Sequence, residues 1–127
     1  GALREQFVHV IDVVPTILEA AGIKAPQVVD GIRQKPIEGT SFAYTFDAKN
    51  AKAPERHKMQ YFEMMGQWAL YDDGWFLSTK VNRAPWEAFG PANPDPLNNQ
   101  VLQLYNLKTD FSQSQDLAAK YPDKVKT

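Results

Sequence analysis

Apolar and polar positions trade places most regularly in the second half of the chain. Leu102 and Leu104 flank Gln103, and the run passes through Tyr105 and Asn106 into a polar turn, as a strand does when it leaves a sheet. Met59-Gln60-Tyr61-Phe62-Glu63-Met64 has strand composition, and so does Trp68-Ala69-Leu70-Tyr71. Gly66 separates these two runs. Asp72-Asp73-Gly74 is a hairpin signal, because glycine supplies the positive φ that a tight turn needs, and Trp75–Lys80 then returns. With residues 101–106 these runs predict four antiparallel strands in sequence order.

The first half follows a helical period. Phe7, Val8, Val10 and Ile11 form an apolar approach to Asp12-Val13-Val14-Pro15-Thr16-Ile17-Leu18-Glu19-Ala20-Ala21-Gly22. Asp12 is placed to cap a helix over about 12–21, Pro15 is tolerated in its first turn, and Gly22 suits a left-handed C-cap. Val14, Ile17, Leu18 and Ala21 share one face, so the helix needs a surface to lie on. Residues 23–57 carry Pro26, Gly31, Pro36, Gly39 and Pro54 without a period. They read as loop, with a short helical turn at Phe42–Phe46 capped by Thr40 or Ser41. So long a loop is uncommon inside a compact domain and is easier to accept where it wraps over other protein. Val81–Gln100, with four prolines, reads as an insertion before the last strand.

Pro122 suits the first turn of a terminal helix that stops short at Thr127; a frayed tail is the alternative. The expected fold is therefore α+β: a four-stranded antiparallel sheet with an N-terminal helix and a truncated C-terminal helix, either of which could cover one sheet face. Residues 1–57 form the helix and linking loop, and residues 58–127 the sheet subdomain. Both ends read as cut from a longer protein.

Composition narrows the chemistry. Fourteen basic and fifteen acidic residues leave a net charge of −1, which offers no electrostatic case for nucleic acid or an anionic membrane. The absence of cysteine excludes disulfides, thiolate metal sites and a cysteine nucleophile, but it leaves the compartment open, the periplasm and the exterior included. No apolar run approaches the roughly 20 residues that span a bilayer.

The two histidines, His9 and His57, are too sparse for a metal site. His9 lies on the apolar approach and reads as a packed, hydrogen-bonded ring, with a pocket-facing position as the sharper alternative. His57 follows Arg56 in a charged run and reads as solvated. Asp72 and Asp73 belong to the turn rather than to acid–base work. Glu63 sits in an otherwise apolar strand, on its polar face or lining a cleft beside Trp68. No serine has a nucleophile-elbow setting, and no glycine-rich phosphate loop is present. Tyr61, Trp68, Trp75, Trp86 and Phe89 are core aromatics before they are a stacking surface. These residues describe a folded module without an assembled active site.

Three stretches resemble the C-terminal part of the type I sulfatases, the arylsulfatase family. Asp12-Val13-Val14-Pro15-Thr16-Ile17-Leu18-Glu19-Ala20-Ala21-Gly22 is similar to that family's Asp-x-x-Pro-Thr helix. Glu63-Met64-Met65-Gly66-Gln67-Trp68-Ala69-Leu70-Tyr71-Asp72-Asp73-Gly74-Trp75 is similar to its strand and hairpin. Leu104-Tyr105-Asn106-Leu107-Lys108-Thr109-Asp110 resembles its closing strand, with Phe111 and Gln113 in place of the usual proline and glutamate. Pro36-Ile37-Glu38-Gly39-Thr40-Ser41-Phe42 resembles the link between them.

The resemblance implies the C-terminal subdomain of an alkaline-phosphatase-like α/β hydrolase that cleaves sulfate esters with calcium and a formylglycine made from (Cys/Ser)-x-Pro-x-Arg. That motif does not occur in these 127 residues. The implied partner is the N-terminal catalytic domain of the same parent chain, which would carry the catalytic residues and the metal. This piece would complete the fold, inactive by itself, and His9, Glu63 and Trp68 would be its candidates for the substrate rim. An apolar patch left by the missing domain would favour self-association. Two other readings stay open: a phosphodiester or phosphonate hydrolase of the same superfamily, and a non-catalytic binding or interaction module.

Overall fold

A computed structural model describes residues 2–64, 66–80 and 100–126. The proline-rich stretch before the last strand lies outside the described residues, as do Trp86 and Phe89. The chain divides into two compact units, Gly1–Lys58 and Met59–Thr127.

The first unit is built on helix α1 (Val13–Ala21), entered through a single 3₁₀ turn at Val10–Asp12. Gly22 closes it at φ 68°, its N–H reaching the carbonyls of Glu19 and Leu18, and Ile23 N–H also returns to Leu18. This is the left-handed stop that the sequence predicts. Asp12 is a correction. Its side chain makes no capping bond to the first turn of α1; it reaches back instead to His9 N–H, the N-cap of the 3₁₀ entry, and onward to other parts of the unit.

The helix also buries the opposite face from the one its apolar period suggests. Asp12 and Thr16, one turn apart, are 0% and 4% exposed, while Val14 and Ile17 are 54% and 60% exposed. Thr16 Oγ1 donates back to the Asp12 carbonyl at 2.6 Å and accepts from Phe42 N–H at 3.0 Å.

The predicted loop holds more structure than its composition suggested. Strands β1 (Val28–Val29) and β2 (Ile32–Arg33) form a minimal antiparallel hairpin through Asp30 and Gly31, both at positive φ. The turn expected at Phe42–Phe46 is a 3₁₀ turn over Ala43–Phe46, where Ser41 Oγ accepts from Ala43 N–H. A second 3₁₀ turn at Ala48–Asn50 is capped by the Asp47 carboxylate on Lys49 N–H.

The second unit is the sheet. Strands β3 (Met59–Met64), β4 (Gln67–Asp72), β5 (Trp75–Thr79) and β6 (Leu102–Asn106) pair antiparallel in chain order. The β4–β5 hairpin turns through Asp73 and Gly74, at φ 42° and 87°, which is the two-residue turn that an Asp-Gly pair favours.

Register places Tyr61, Leu70, Leu77 and Leu104 in one row across the sheet, and Gln60, Tyr71, Phe76 and Tyr105 in a row on the other face. Leu104 is 2% exposed and anchors the first face. Beyond β6 the chain folds back on the free edge: Leu117 N–H donates to the Leu104 carbonyl, and Leu104 N–H donates to the Asp116 carboxylate. That return blocks one sheet edge from pairing with another strand. Helix α2 (Pro122–Lys126) follows, with the Tyr121 ring edge-on to Trp75 at 5.4 Å and the Lys124 ammonium 4.7 Å above the same indole.

Candidate functional site

The one ionised cluster sheltered from water among the described residues lies in the first unit and centres on Asp12. The 3₁₀ entry to α1 turns its side chain inward, and Thr16 continues the same face one turn on. Asp12 Oδ2 accepts from its neighbour His9 N–H at 2.8 Å, and Oδ1 accepts from Thr40 N–H at 2.7 Å. His57 Nδ1 lies 2.8 Å from Oδ1 and 2.7 Å from Oδ2. Three segments far apart in sequence therefore meet on one carboxylate.

Burial alone would raise the pKa of Asp12. The His9 and Thr40 N–H groups, and then the His57 ring, outweigh burial and bring it below the usual 3.8. The ionised carboxylate only accepts, so Nδ1 of His57 carries the proton, and in the neutral ring Nε2 is the acceptor. Phe7 packs edge-on to the His57 ring at 5.5 Å, and the His9 ring is 6.2 Å away at a similar angle. Phe7 is itself tied in by its N–H, which donates to Glu55 Oε2 at 3.1 Å.

Gly39 makes the arrangement possible. A Cβ at this position would lie 2.0 Å from the Ile11 carbonyl oxygen and 2.9 Å from Asp12 N. Only a residue without a side chain lets the 39–42 segment come close enough for Thr40 to reach Asp12 and Phe42 to reach Thr16.

The reading of His57 as solvated is therefore corrected. Its side chain is only 11% exposed, because it seats against Asp12, while on either side Lys58 is exposed and the exposed Arg56 lays its guanidinium over the Tyr44 ring at 4.2 Å. The charged neighbours dominated the local signal. The clue in the sequence was the Asp12–Thr16 pair, two hydrogen-bonding side chains one turn apart on a helix with no other reason to bury a polar stripe.

The three residues expected near a substrate do not all come together. His9 is half-buried in the first unit, beside His57. Glu63 and Trp68 belong to the second unit and face each other directly across β3 and β4. Glu63 is exposed, and its Oε1 accepts from Gly66 N–H at 2.9 Å, so it closes the β3–β4 turn. Trp68 is half-buried, and its main-chain N–H donates to the Thr79 hydroxyl oxygen at 3.2 Å. Asp73, in the β4–β5 turn, pairs with Lys108 at 2.9 Å in water.

The Asp12 cluster can clamp chain segments and can hold one imidazole in a fixed tautomer. The described residues contain no group of three or more His, Asp or Glu side chains placed to hold a metal ion. No described helix is long and apolar enough to cross a membrane.

No family model matches the sequence. Solved structures do match the fold. Ps i-CgsB aligns over 95% of this chain with a TM-score of 0.56 and 21% identity. BT33336S-sulf of Bacteroides thetaiotaomicron, described with a core genetic locus that orchestrates the metabolism of multiple glycosaminoglycans, aligns over 91% with a TM-score of 0.54 and 15% identity. In each case the chain spans 22% of the matched protein's length. The α+β arrangement of helix and four-stranded sheet thus corresponds to a portion of each of these larger structures.

Proposed function

We propose that this chain is the C-terminal portion of a sulfate ester hydrolase of the arylsulfatase type, and that its own role is structural. The observation that carries the reading is the alignment of nearly the whole chain with about one fifth of a larger protein named as a 6S-sulf. The order of the three sequence motifs points the same way. The preceding polypeptide would supply the nucleophile, the calcium and the groups that hold sulfate. This portion would support that domain through α1, whose Val14 and Ile17 side chains are exposed in the chain by itself.

The chemistry of the chain fits a supporting role. The one sheltered carboxylate among the described residues is committed to main-chain N–H groups and to His57, and Thr16 beside it is engaged at both ends. Neither side chain is left to act on a substrate. Glu63 and Trp68, opposite each other near one end of the sheet, are the pair suited to a substrate rim. A carboxylate beside an indole can grip a polar ring, and changing Trp68 to Ala should then raise KM with little change in kcat.

The test is hydrolysis of an aryl sulfate such as 4-nitrocatechol sulfate by the whole parent polypeptide and by this 127-residue chain. The reading expects turnover only by the parent, and a (Cys/Ser)-x-Pro-x-Arg motif before Gly1. Turnover by the short chain, or a parent with no such motif and no sulfatase activity, would overturn it.

A further inference from the structure

Residues 21–38, from the end of α1 through the β1–β2 hairpin, are exposed at every position. Two-residue strands do not stand alone in water, and this hairpin buries none of its own apolar side chains: Val28, Val29, Ile32 and Ile37 all face solvent, Ile32 at 69%. Between this arm and α1 runs a groove of about 660 Å³ lined by Val14, Leu18, Pro26, Arg33, Lys35 and Ile37 among others. Its floor is apolar and its rim carries two cations. Among the described residues no carboxylate lies within ion-pair distance of Arg33 or Lys35.

We infer that this groove is the seat of an apolar, carboxylate-bearing segment of the same polypeptide from before Gly1. The inference rests on the proposal that the chain is part of a longer protein, and it names the chemistry of the contact. The matched structures are several times longer than this chain, so covering polypeptide is at hand. Charge decides against a second copy of the arm as occupant. The arm carries Lys24, Arg33 and Lys35 against Asp30 and Glu38, so a copy would set a net positive arm on a positive rim. An incoming carboxylate answers both cations, and apolar side chains beside it cover Val14, Leu18 and Ile37.

The experiment is zero-length carbodiimide crosslinking of the whole parent polypeptide, with crosslinked peptides mapped by mass spectrometry from the monomer band. The expected product joins Lys35 to an Asp or Glu that precedes Gly1; it disappears in K35Q and persists in K24Q. Three outcomes would overturn the inference: Lys35 joined only in a dimer-sized band, Lys35 joined only to acids within residues 1–127, or Lys35 unjoined while other lysines react. Sulfate ester hydrolysis by the same preparation separates the two proposals. A crosslink without hydrolysis removes the assigned activity and leaves the groove, and hydrolysis without the crosslink does the reverse.

Discussion

Removing the Asp12 carboxylate should cost the first unit a large part of its stability. The side chain is wholly buried and accepts from His9 N–H, Thr40 N–H and His57 Nδ1. In Asp12→Ala those three donors lose their acceptor together. A hydrogen bond to a charged acceptor contributes about 1.5–3 kcal/mol, and a donor stranded away from water costs about 1–3 kcal/mol. The three terms share one carboxylate and are not additive, so the expected loss is about 3–5 kcal/mol, as when one partner is taken from a buried pair.

Asp12→Asn is the sharper probe. It keeps the shape and one acceptor oxygen, but turns an NH₂ toward one of the donors. His57 can partly adapt, because a neutral ring protonated at Nε2 accepts at Nδ1, so about 1–3 kcal/mol is expected. No tryptophan occurs in residues 1–58, so tryptophan fluorescence does not report the first unit, and urea unfolding followed by far-UV circular dichroism with hydrogen exchange at Thr40 is the better assay. The double variant with His57→Ala should lose clearly less than the sum of the two single losses. An Asp12→Ala loss under about 0.5 kcal/mol, the scale of an ordinary surface substitution, would refute the clamp, as would strict additivity with His57→Ala.

Four further outcomes follow from the same geometry. Because Asp12 has its folded pKa lowered, its ionisation adds stability that is fully present above 3.8 and is lost as pH falls through the lower folded value, so acid unfolding of wild type should show a step that Asp12→Asn lacks. Gly39→Ala drives a Cβ into the Ile11 carbonyl, a main-chain obstacle, and should cost about 1–3 kcal/mol or prevent folding, read by thermal unfolding. Gly74→Ala meets only the flexible Lys108 side chain, so its cost should be about 1 kcal/mol and come from the positive φ; Gly74→Asn should recover part of it. Leu104→Ala, at the most buried apolar position of the sheet, should cost about 2–5 kcal/mol in the cooperative unfolding of the second unit.

The elements were legible where a local rule spoke for each residue. Period-two alternation, Gly66 and the Asp73-Gly74 turn lay out the four strands, and Gly22 marks the end of α1 because only a residue tolerant of positive φ suits that stop. The β1–β2 hairpin was hidden in a proline-rich loop, since strands of two residues leave no period to read. The Asp12–His57 contact was hidden for a different reason. Its partners are 45 positions apart, and each carries a stronger local signal of another kind: Asp12 looks like a helix cap, and His57 like part of a solvated charged run. Glu63 and Trp68 were legible as neighbours because a tight turn between two strands fixes which residues face each other.

The clamp on Asp12 also sets an order of events during synthesis. The carboxylate leaves the ribosome early with its His9 donor already made, but its other two partners arrive only with Thr40 and then His57. His57 is nearly the last residue of its unit, and β3 starts just after it. The N-terminal unit therefore has a latch whose final part arrives as the sheet begins to emerge. A nascent chain halted before that point would hold an aspartate without its imidazole partner, a less tightly closed unit exposed to chaperones and proteases.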